Sequence, residues 1–485
     1  MNPPPPASVP VFAVVGRVNR GKSSIIATLA EEDSIAISAL PGTTRRATRY
    51  DVLLEGEVLF RLIDTPGFED AARALAWMQR TRPGADQRRA RVAEFRQTFA
   101  GSDEFVEECE LLGPVLEGAA ILYVVDGSTP FRENIMAEVE ILRWTGQPRM
   151  ALVNRSRTGE HLDAWHRALG AEFSAVRNFD AHAASFRERL SLLALFRELV
   201  DEWRAPLGRA IERLDAEQSR RLRESAAAIA ALLVECLTHT IEVWASPEGL
   251  SAAERSAAEQ RFHDDLRELE RRARRRVEAL YRHHRVATQA PPLDPPQFSR
   301  DLFSERVWSS LGLSAGQLIA AYSLAGATAG GALDAVVGGA SLLAGTAVGA
   351  ALGGAAALWQ LGSRALGVTA VEALGDRLRK SAAPQRHFRI GPHQHPNLPF
   401  VLLDRALLHH EAIRYRAHAL NAVGELTLDA SGSRTRELPV ATRQRLSKLF
   451  ARCRKSPGAD HGAEQDALTA LILDLLEQRE QDLAL

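Results

Sequence analysis

The sequence predicts an α/β fold with a mostly parallel sheet in its N-terminal part, followed by a mainly α-helical C-terminal part. Three observations carry this reading. From Val9 to about Ala205 short apolar runs alternate with stretches of helical period, the pattern of parallel strands joined by crossover helices. A glycine-bounded loop, Gly16-Arg17-Val18-Asn19-Arg20-Gly21-Lys22-Ser23, separates the first apolar run from a helical one. From about Ser185 to Arg285 the chain is rich in Ala, Arg, Glu and Leu and almost entirely helical in character.

Strands are expected at Val9–Val15, Arg49–Leu54, Val58–Ile63, Ala119–Val125, Arg149–Val153 and Ser174–Phe179. Glu55-Gly56 reads as a hairpin turn, which makes one edge strand antiparallel. A helix is expected from Lys22 to Ala30. The segment between Gly67 and Ala119 carries helical stretches at Val92–Phe99 and Glu104–Leu112. It reads as an inserted helical element, either a relay to the C-terminal part or passive padding.

At 485 residues the chain is long for one core, and 46% hydrophobic with 25% charged residues excludes global disorder. The expected divisions are a flexible lead-in over 1–9, the α/β domain over 10–205, and a helical region with a Pro-rich linker over 206–296. A Gly/Ala-rich apolar helical hairpin over 297–383 and a helical region over 384–485 complete the chain. The formal charge of −1 gives no argument for nucleic acid, so any basic surface must be local. Cys109, Cys236 and Cys453 lie far apart without metal-ligand spacing, and the Pro-rich start lacks the order of a signal peptide. Both point to a reduced, cytoplasmic compartment.

The loop Gly16–Ser23 matches GxxxxGK[ST] between a strand and a helix, where backbone N–H groups form a concave anion site. Gly16 and Gly21 leave room for phosphate to approach the backbone. Lys22 would neutralise the β- and γ-phosphates, and Ser23 would place its hydroxyl on Mg²⁺. Asp64-Thr65-Pro66-Gly67 follows an apolar strand, so Asp64 falls at a strand's carboxyl end, where ligands bind in such sheets. Asp64 can hold Mg²⁺ through water, and the Gly67 amide can sense a γ-phosphate. Pro41-Gly42-Thr43-Thr44-Arg45 lies between these motifs and offers a threonine to the metal, as a switch loop does.

With these motifs in place, the first 200 residues or so resemble the TrmE–Era–Der group of GTPases. The residues that carry the resemblance are Gly16–Ser23 with Asn19, Pro41–Arg45, and Asp64–Gly67. Together with the long C-terminal part, the chain is similar to bacterial GTPases that carry a C-terminal domain of unknown function. The resemblance implies a P-loop GTPase domain that binds GTP and GDP and uses Mg²⁺. Gly16, Asn19, Arg20, Gly21, Lys22, Ser23 and Ser24 would contact nucleotide, and Lys22, Thr44 and Gly67 would serve catalysis. Ser23, Thr44 and Asp64 would hold Mg²⁺, with Thr44 as the switch I threonine. Asn19 becomes a candidate ligand of an activating K⁺.

Two positions depart from the pattern. Phe68 stands where Ras-type enzymes have the water-orienting glutamine, so hydrolysis should be slow without a cation, dimerisation or a protein partner. Where Asn-Lys-x-Asp is expected after the fifth strand, the chain has Asn154-Arg155-Ser156-Arg157. Asn154 can still bond the base and the Arg155 stem can cover it, but Arg157 replaces the guanine-reading carboxylate. Asp180 could substitute from the next loop. ATP or relaxed base specificity stays open beside GTP.

The uncharged stretches Val307–Leu333 and Ala335–Ser363, parted only by Asp334, are long enough to cross a membrane as a hairpin. Gly326 and Gly330, then Gly345, Gly349 and Gly353, keep the four-residue spacing of close helix packing. Basic residues at both outer ends would keep those ends on the cytoplasmic face of the inner membrane. The alternative is a tightly packed soluble hairpin. The run Arg271–Arg276 reads as an exposed helix face paired with Glu268, Glu270 and Glu278, or else as a phosphate-contacting patch. His393 and His395 read as loop residues. A nucleotide-binding scaffold with little turnover and an RNA or ribosome-assembly GTPase remain alternatives, although neutral charge makes a nucleic-acid partner the less expected one.

Overall fold

In the computed structural model of the chain, the described residues are 9–17, 21–30, 46–154, 161–180, 184, 186–246, 248–281, 301–303, 307, 310–322, 366–371, 386–416 and 433–482. The chain divides into a unit of Met1–Ser219 with 415–422 and 480–485, and a unit of Arg220–Arg414 with Val423–Arg479.

The first unit runs β1 (Val11–Val15), α1 (Lys22–Ala30), β2 (Thr48–Leu54), β3 (Glu57–Asp64), α2 (Ala71–Gln79), α3 (Arg88–Thr98), α4 (Val106–Leu116) and β4 (Ala120–Asp126). It continues with α5 (Met136–Trp144), β5 (Arg149–Asn154), α6 (Leu162–Leu169), β6 (Ala175–Phe179), α7 (Phe186–Leu199) and the start of α8 (Arg204–Thr238). The sheet has six strands in the order β2-β3-β1-β4-β5-β6, parallel throughout except for β2, which pairs antiparallel with β3. The expected strands therefore form, and Glu55 and Gly56 make the hairpin turn with φ of 52° and 84°. Positive φ at both central positions matches the twist of the flanking strands.

The central strands β1, β4 and β5 are apolar on both faces because both faces are covered. Phe12 and Val14 of β1 pack with α1 and α7 in one core, while Ala13 and Val15 face α2–α5 in another. Phe12 meets Phe196 and Trp203 at ring-centroid distances of 4.8 and 5.3 Å, which fastens α7 beneath the strand that feeds the glycine loop. The connection between Gly67 and β4 holds three helices, α2 to α4, one more than the sequence pattern suggested.

The second unit contains the rest of α8, β7 (Ile241–Ala245), α9 (Ala252–Tyr281), α10 (Ala315–Tyr322), β8 (Leu366–Val371), β9 (Arg386–His393), α11 (Leu398–Arg416), α12 (Arg434–Glu437), α13 (Val440–Lys455) and α14 (Gly462–Asp482). It is mainly helical, as expected, but β7, β9 and β8 form an antiparallel sheet in that order. β7 interrupts a stretch read as helix. Its Ile-Glu-Val-Trp-Ala alternates buried and exposed positions and is rich in β-branched and aromatic residues, a five-residue signal hidden by its helical flanks.

The arginine run lies on α9, and its pairing matches expectation at Glu268 but not at Glu270 or Glu278. Arg271 and Arg275 reach Glu268 at 3.1 and 2.7 Å, and Arg272 pairs with Glu235 of α8. Glu270 and Glu278 instead turn inward, to Arg405 at 2.6 Å and His409 at 3.1 Å on α11. No helix among the described residues is long and apolar enough to cross a membrane. Of the first Gly/Ala-rich stretch, Val307, Leu311, Leu313, Leu318, Ala321 and Tyr322 are packed in the protein core. Residues 323–365, with the glycine repeat and Asp334, lie outside the described residues, as does the Pro291–Pro296 linker.

Of the two histidines read as loop residues, His395 lies in a loop and His393 does not, and neither is exposed. His393 closes β9, His395 follows it, and both are fully buried. Each accepts at Nδ1 from the amide two residues on: His393 from His395 N at 3.3 Å and His395 from Asn397 N at 3.1 Å. An accepting Nδ1 requires the neutral ring, and no metal-ligand cluster involves them among the described residues. Burial, with Arg454 as a lesser cause, pushes the His395 pKa down from 6.5 to about 3. Between these values the unfolded chain binds a proton that the folded chain refuses, so stability falls as the medium is acidified through that window. The slope is up to about 1.4 kcal/mol per pH unit. His395→Gln is expected to flatten it, as read from urea midpoints at pH 7 and pH 5; an unchanged difference between the two midpoints would show that His395 does not set the acid sensitivity.

Candidate nucleotide-binding site

The sheet order places a topological switch point between β1 and β4, since the chain leaves β1 toward β3 on one side and β4 lies on the other. Ligands bind at such a crevice, beyond the carboxyl ends of the strands. Gly16 and Arg17 leave β1 there, and Lys22 opens α1. The glycines are required by space as well as by φ. A Cβ on Gly16 (φ 152°) would lie 2.3 Å from the Val124 carbonyl oxygen of β4. One on Gly21 (φ 86°) would lie 2.3 Å from the Asn154 side-chain amide. The second clash also shows that Asn154, at the end of β5, packs directly on the glycine loop.

Lys22 is buried, and its ammonium donates to the carbonyls of Gly16 at 2.9 Å and Arg17 at 3.0 Å. Burial lowers its pKa, opposed by the charges of Asp64 and Glu138. Ser23 Oγ donates to Asp64 Oδ2 at 3.1 Å. The register Val14↔Asp64 between β1 and β3 explains why residues 41 positions apart converge. A hydroxyl and a buried carboxylate at hydrogen-bond distance are a donor set that fits Mg²⁺. Thr65 seals the strand end by donating from Oγ1 to the Val14 carbonyl at 2.8 Å.

Gly67 and Phe68 are buried, and the Phe68 ring packs with Ala71, Ala74 and Met78. Phe68 therefore faces a core. Asn154 pairs in register with Phe179, so Asp180 sits one residue beyond it at the end of the neighbouring strand. Ser24 lies on α1, where its carbonyl accepts from Thr28. Asn19, Arg20, Thr44, Arg155 and Arg157 lie outside the described residues.

Two contacts had no sequence signal. Arg17 pairs at 2.5 Å with Glu138 of α5, which also accepts from the Tyr123 hydroxyl of β4 at 2.8 Å. Burial raises the Glu138 pKa against these partners. In addition, Glu108 of α4, buried, accepts the backbone amides that follow Phe68. Isolated acidic residues on helices read as solvent-facing, and only the fold reveals their partners.

Comparison with known proteins agrees with this geometry. Residues 11–155 match the family described as 50S ribosome-binding GTPase, and residues 166–477 match the domain of unknown function DUF3482. The tRNA modification GTPase MnmE of Rhodospirillum rubrum is 32% identical over 201 residues, covering 41% of this chain and 40% of its own. GTPase Der of Bifidobacterium longum is 29% identical over 173 residues, 35% of this chain and 31% of its own. GTPase Era of Acidimicrobium ferrooxidans is 40% identical over 80 residues, 16% of this chain and 28% of its own. The matched region thus spans less than half the length of each of these relatives.

Proposed function

Since the chain belongs to the TrmE–Era–Der-type P-loop GTPases with a long C-terminal DUF3482 domain, we propose that it hydrolyses GTP to GDP and phosphate as a molecular switch. The observation that carries the proposal is the meeting of Ser23 and Asp64 at 3.1 Å beside the buried Lys22. In this reading the loop amides from Gly16 to Ser24, including Asn19 and Arg20, cradle the phosphates, and Lys22 leaves its two carbonyl partners for the β- and γ-oxygens. Water attacks the γ-phosphorus, the bond to the β–γ bridging oxygen breaks, and its electrons stay on GDP. Ser23, Thr44 and Asp64 would hold Mg²⁺, which supplies charge neutralisation on the phosphate oxygens. Gly67 donates its amide to the γ-phosphate in this reading. Asn154 would bond the base with Arg155 covering it, and Asp180 would stand in for the carboxylate that Arg157 replaces.

With Phe68 facing inward, position 68 offers no group to orient water, so in this reading turnover is slow unless K⁺ at Asn19, dimerisation or a protein partner adds stabilisation. A second reading, an RNA-linked switch, draws on the names of the matched family and of MnmE, which speak of ribosome binding and tRNA modification. Membrane attachment through the Gly/Ala-rich segment rests on the sequence alone.

The test is phosphate release from GTP and from ATP by the full chain, in K⁺ and in Na⁺, against Lys22→Ala. GTP-selective, K⁺-stimulated turnover is expected. Tight GTP binding with release no faster than Lys22→Ala would replace the switch with a nucleotide-holding scaffold.

A further inference from the structure

The inserted helices touch the residues that follow Gly67 and the backbone that leads into β2. Glu108 of α4, 1% exposed, accepts with one oxygen, Oε1, from the amides of Glu69 at 2.9 Å and Asp70 at 2.7 Å. These are the residues that follow Asp64–Phe68. Two positions further along α4, Glu110 Oε2 accepts from the Ala47 amide at 3.3 Å. Ala47 directly precedes β2, just after the Pro41–Arg45 stretch. The antiparallel register Thr48↔Asp64 explains why one helix reaches the ends of both segments.

α4 is itself held in place. Phe105, its N-cap, adopts φ 57°, a left-handed conformation that is strained for a bulky residue. Its ring offsets this by packing on Phe95 and Phe99 at 5.1 and 4.7 Å, with the Arg73 guanidinium over it at 5.1 Å. Trp77 of α2 joins the same cluster through Phe95 and Phe99, at 5.5 and 5.7 Å. Neighbouring carboxylates, Glu107 first and then Glu108 and Asp70, push the Glu69 pKa up, so the segment that Glu108 holds is rich in negative charge.

We propose that Glu108 is a positioning residue that ties the segment after Gly67 to the inserted helices, so that α4 and its aromatic cluster move with the state of the γ-phosphate. The inference rests on the switch reading above and names the element that reads it out. When Gly67 turns its amide to the γ-phosphate, the strain reaches Glu69 and Asp70 within two and three residues, and the Glu108 carboxylate carries it into α4. Glu110 holds the same helix to Ala47, at the start of β2, so the helix is tied to both of these backbone stretches.

The experiment uses the full chain with GDP and with a non-hydrolysable GTP analogue. Glu108→Ala is expected to lower kcat for GTP roughly tenfold while GDP affinity stays within about twofold, because it removes a charge-assisted bond from the segment and not from the phosphate loop. Glu108→Gln keeps an oxygen at the accepting position and is expected to stay within about threefold of the parent chain. The part of the tryptophan fluorescence that Trp77→Phe removes should differ between GDP and the analogue in the parent chain, and should lose that difference in Glu108→Ala. Parent-like kcat in Glu108→Ala, with Trp77 still responding to the analogue, would overturn the clamp and leave the GTPase reading standing. A parent chain that neither binds nor hydrolyses GTP would overturn both.

Discussion

Lys22→Ala is expected to reduce GTP turnover by roughly 100- to 1,000-fold, the usual loss when one preorganised donor to a developing oxyanion is removed. The size follows from where the ammonium sits. It is buried, within reach of the Gly16 and Arg17 carbonyls, and the charges of Asp64 and Glu138 favour its protonated form against burial. A group already desolvated before the nucleotide arrives needs little reorganisation to meet the transition-state charge. Lys22→Arg is not expected to restore turnover, since a planar guanidinium cannot occupy the place of a compact ammonium between those carbonyls. Phosphate release and binding of a fluorescent GDP, with thermal unfolding as the folding control, separate lost chemistry from lost structure. Turnover within about threefold of the parent would place the chemistry outside this loop.

Much of this site was legible because its signals are local. Gly16, Gly21, Lys22 and Ser23 are fixed by one loop and its adjoining helix, and the helix spans Lys22–Ala30 as its pattern indicates. Glu55-Gly56 is a turn that side-chain sterics select, and Asp64 was recognisable from the apolar strand before it. What escaped notice depends on partners far along the chain. Glu138 is a core residue because Arg17, 121 positions away, and Tyr123 satisfy it. Glu108 is a core residue because two backbone amides meet it. The same blindness affected β7, whose partner β9 lies beyond the Gly/Ala-rich segment, and Glu270, which pairs with Arg405 of α11 rather than with its own arginine-rich neighbours. Periodicity assigns a face to a residue; it does not say what a long-range fold will bring to that face.

Asp404 of α11 is where the second unit should be most sensitive to a single substitution. Its side chain is fully buried and accepts four hydrogen bonds: from the Gly312 amide at 2.6 Å, the Thr435 amide at 2.7 Å, Thr435 Oγ1 at 3.0 Å and Ser433 Oγ at 2.5 Å. Ser433 in turn caps α12, accepting from the Arg436 amide. One carboxylate therefore joins α11 to the turn before α10 and to the start of α12. Asp404→Ala leaves two buried backbone N–H groups without acceptors, and removing the acceptor of a buried charge network costs about 3–5 kcal/mol. Asp404→Asn should cost less. It keeps one accepting oxygen, though its NH₂ would face a donor. It also removes an ionisation that the fold resists: burial raises the Asp404 pKa despite its donors. For an acid with a raised folded value, the favourable contribution is complete below the ordinary pKa of 3.8 and is lost as pH rises through the folded value. The difference between Asp404→Asn and the parent should therefore narrow as pH rises. Urea unfolding of the full chain at two pH values, with hydrogen exchange over residues 398–416 to localise the loss, measures both effects. Asp404→Ala unfolding at the parent's midpoint would mean that water or a rearranged turn satisfies those amides as well as the carboxylate does.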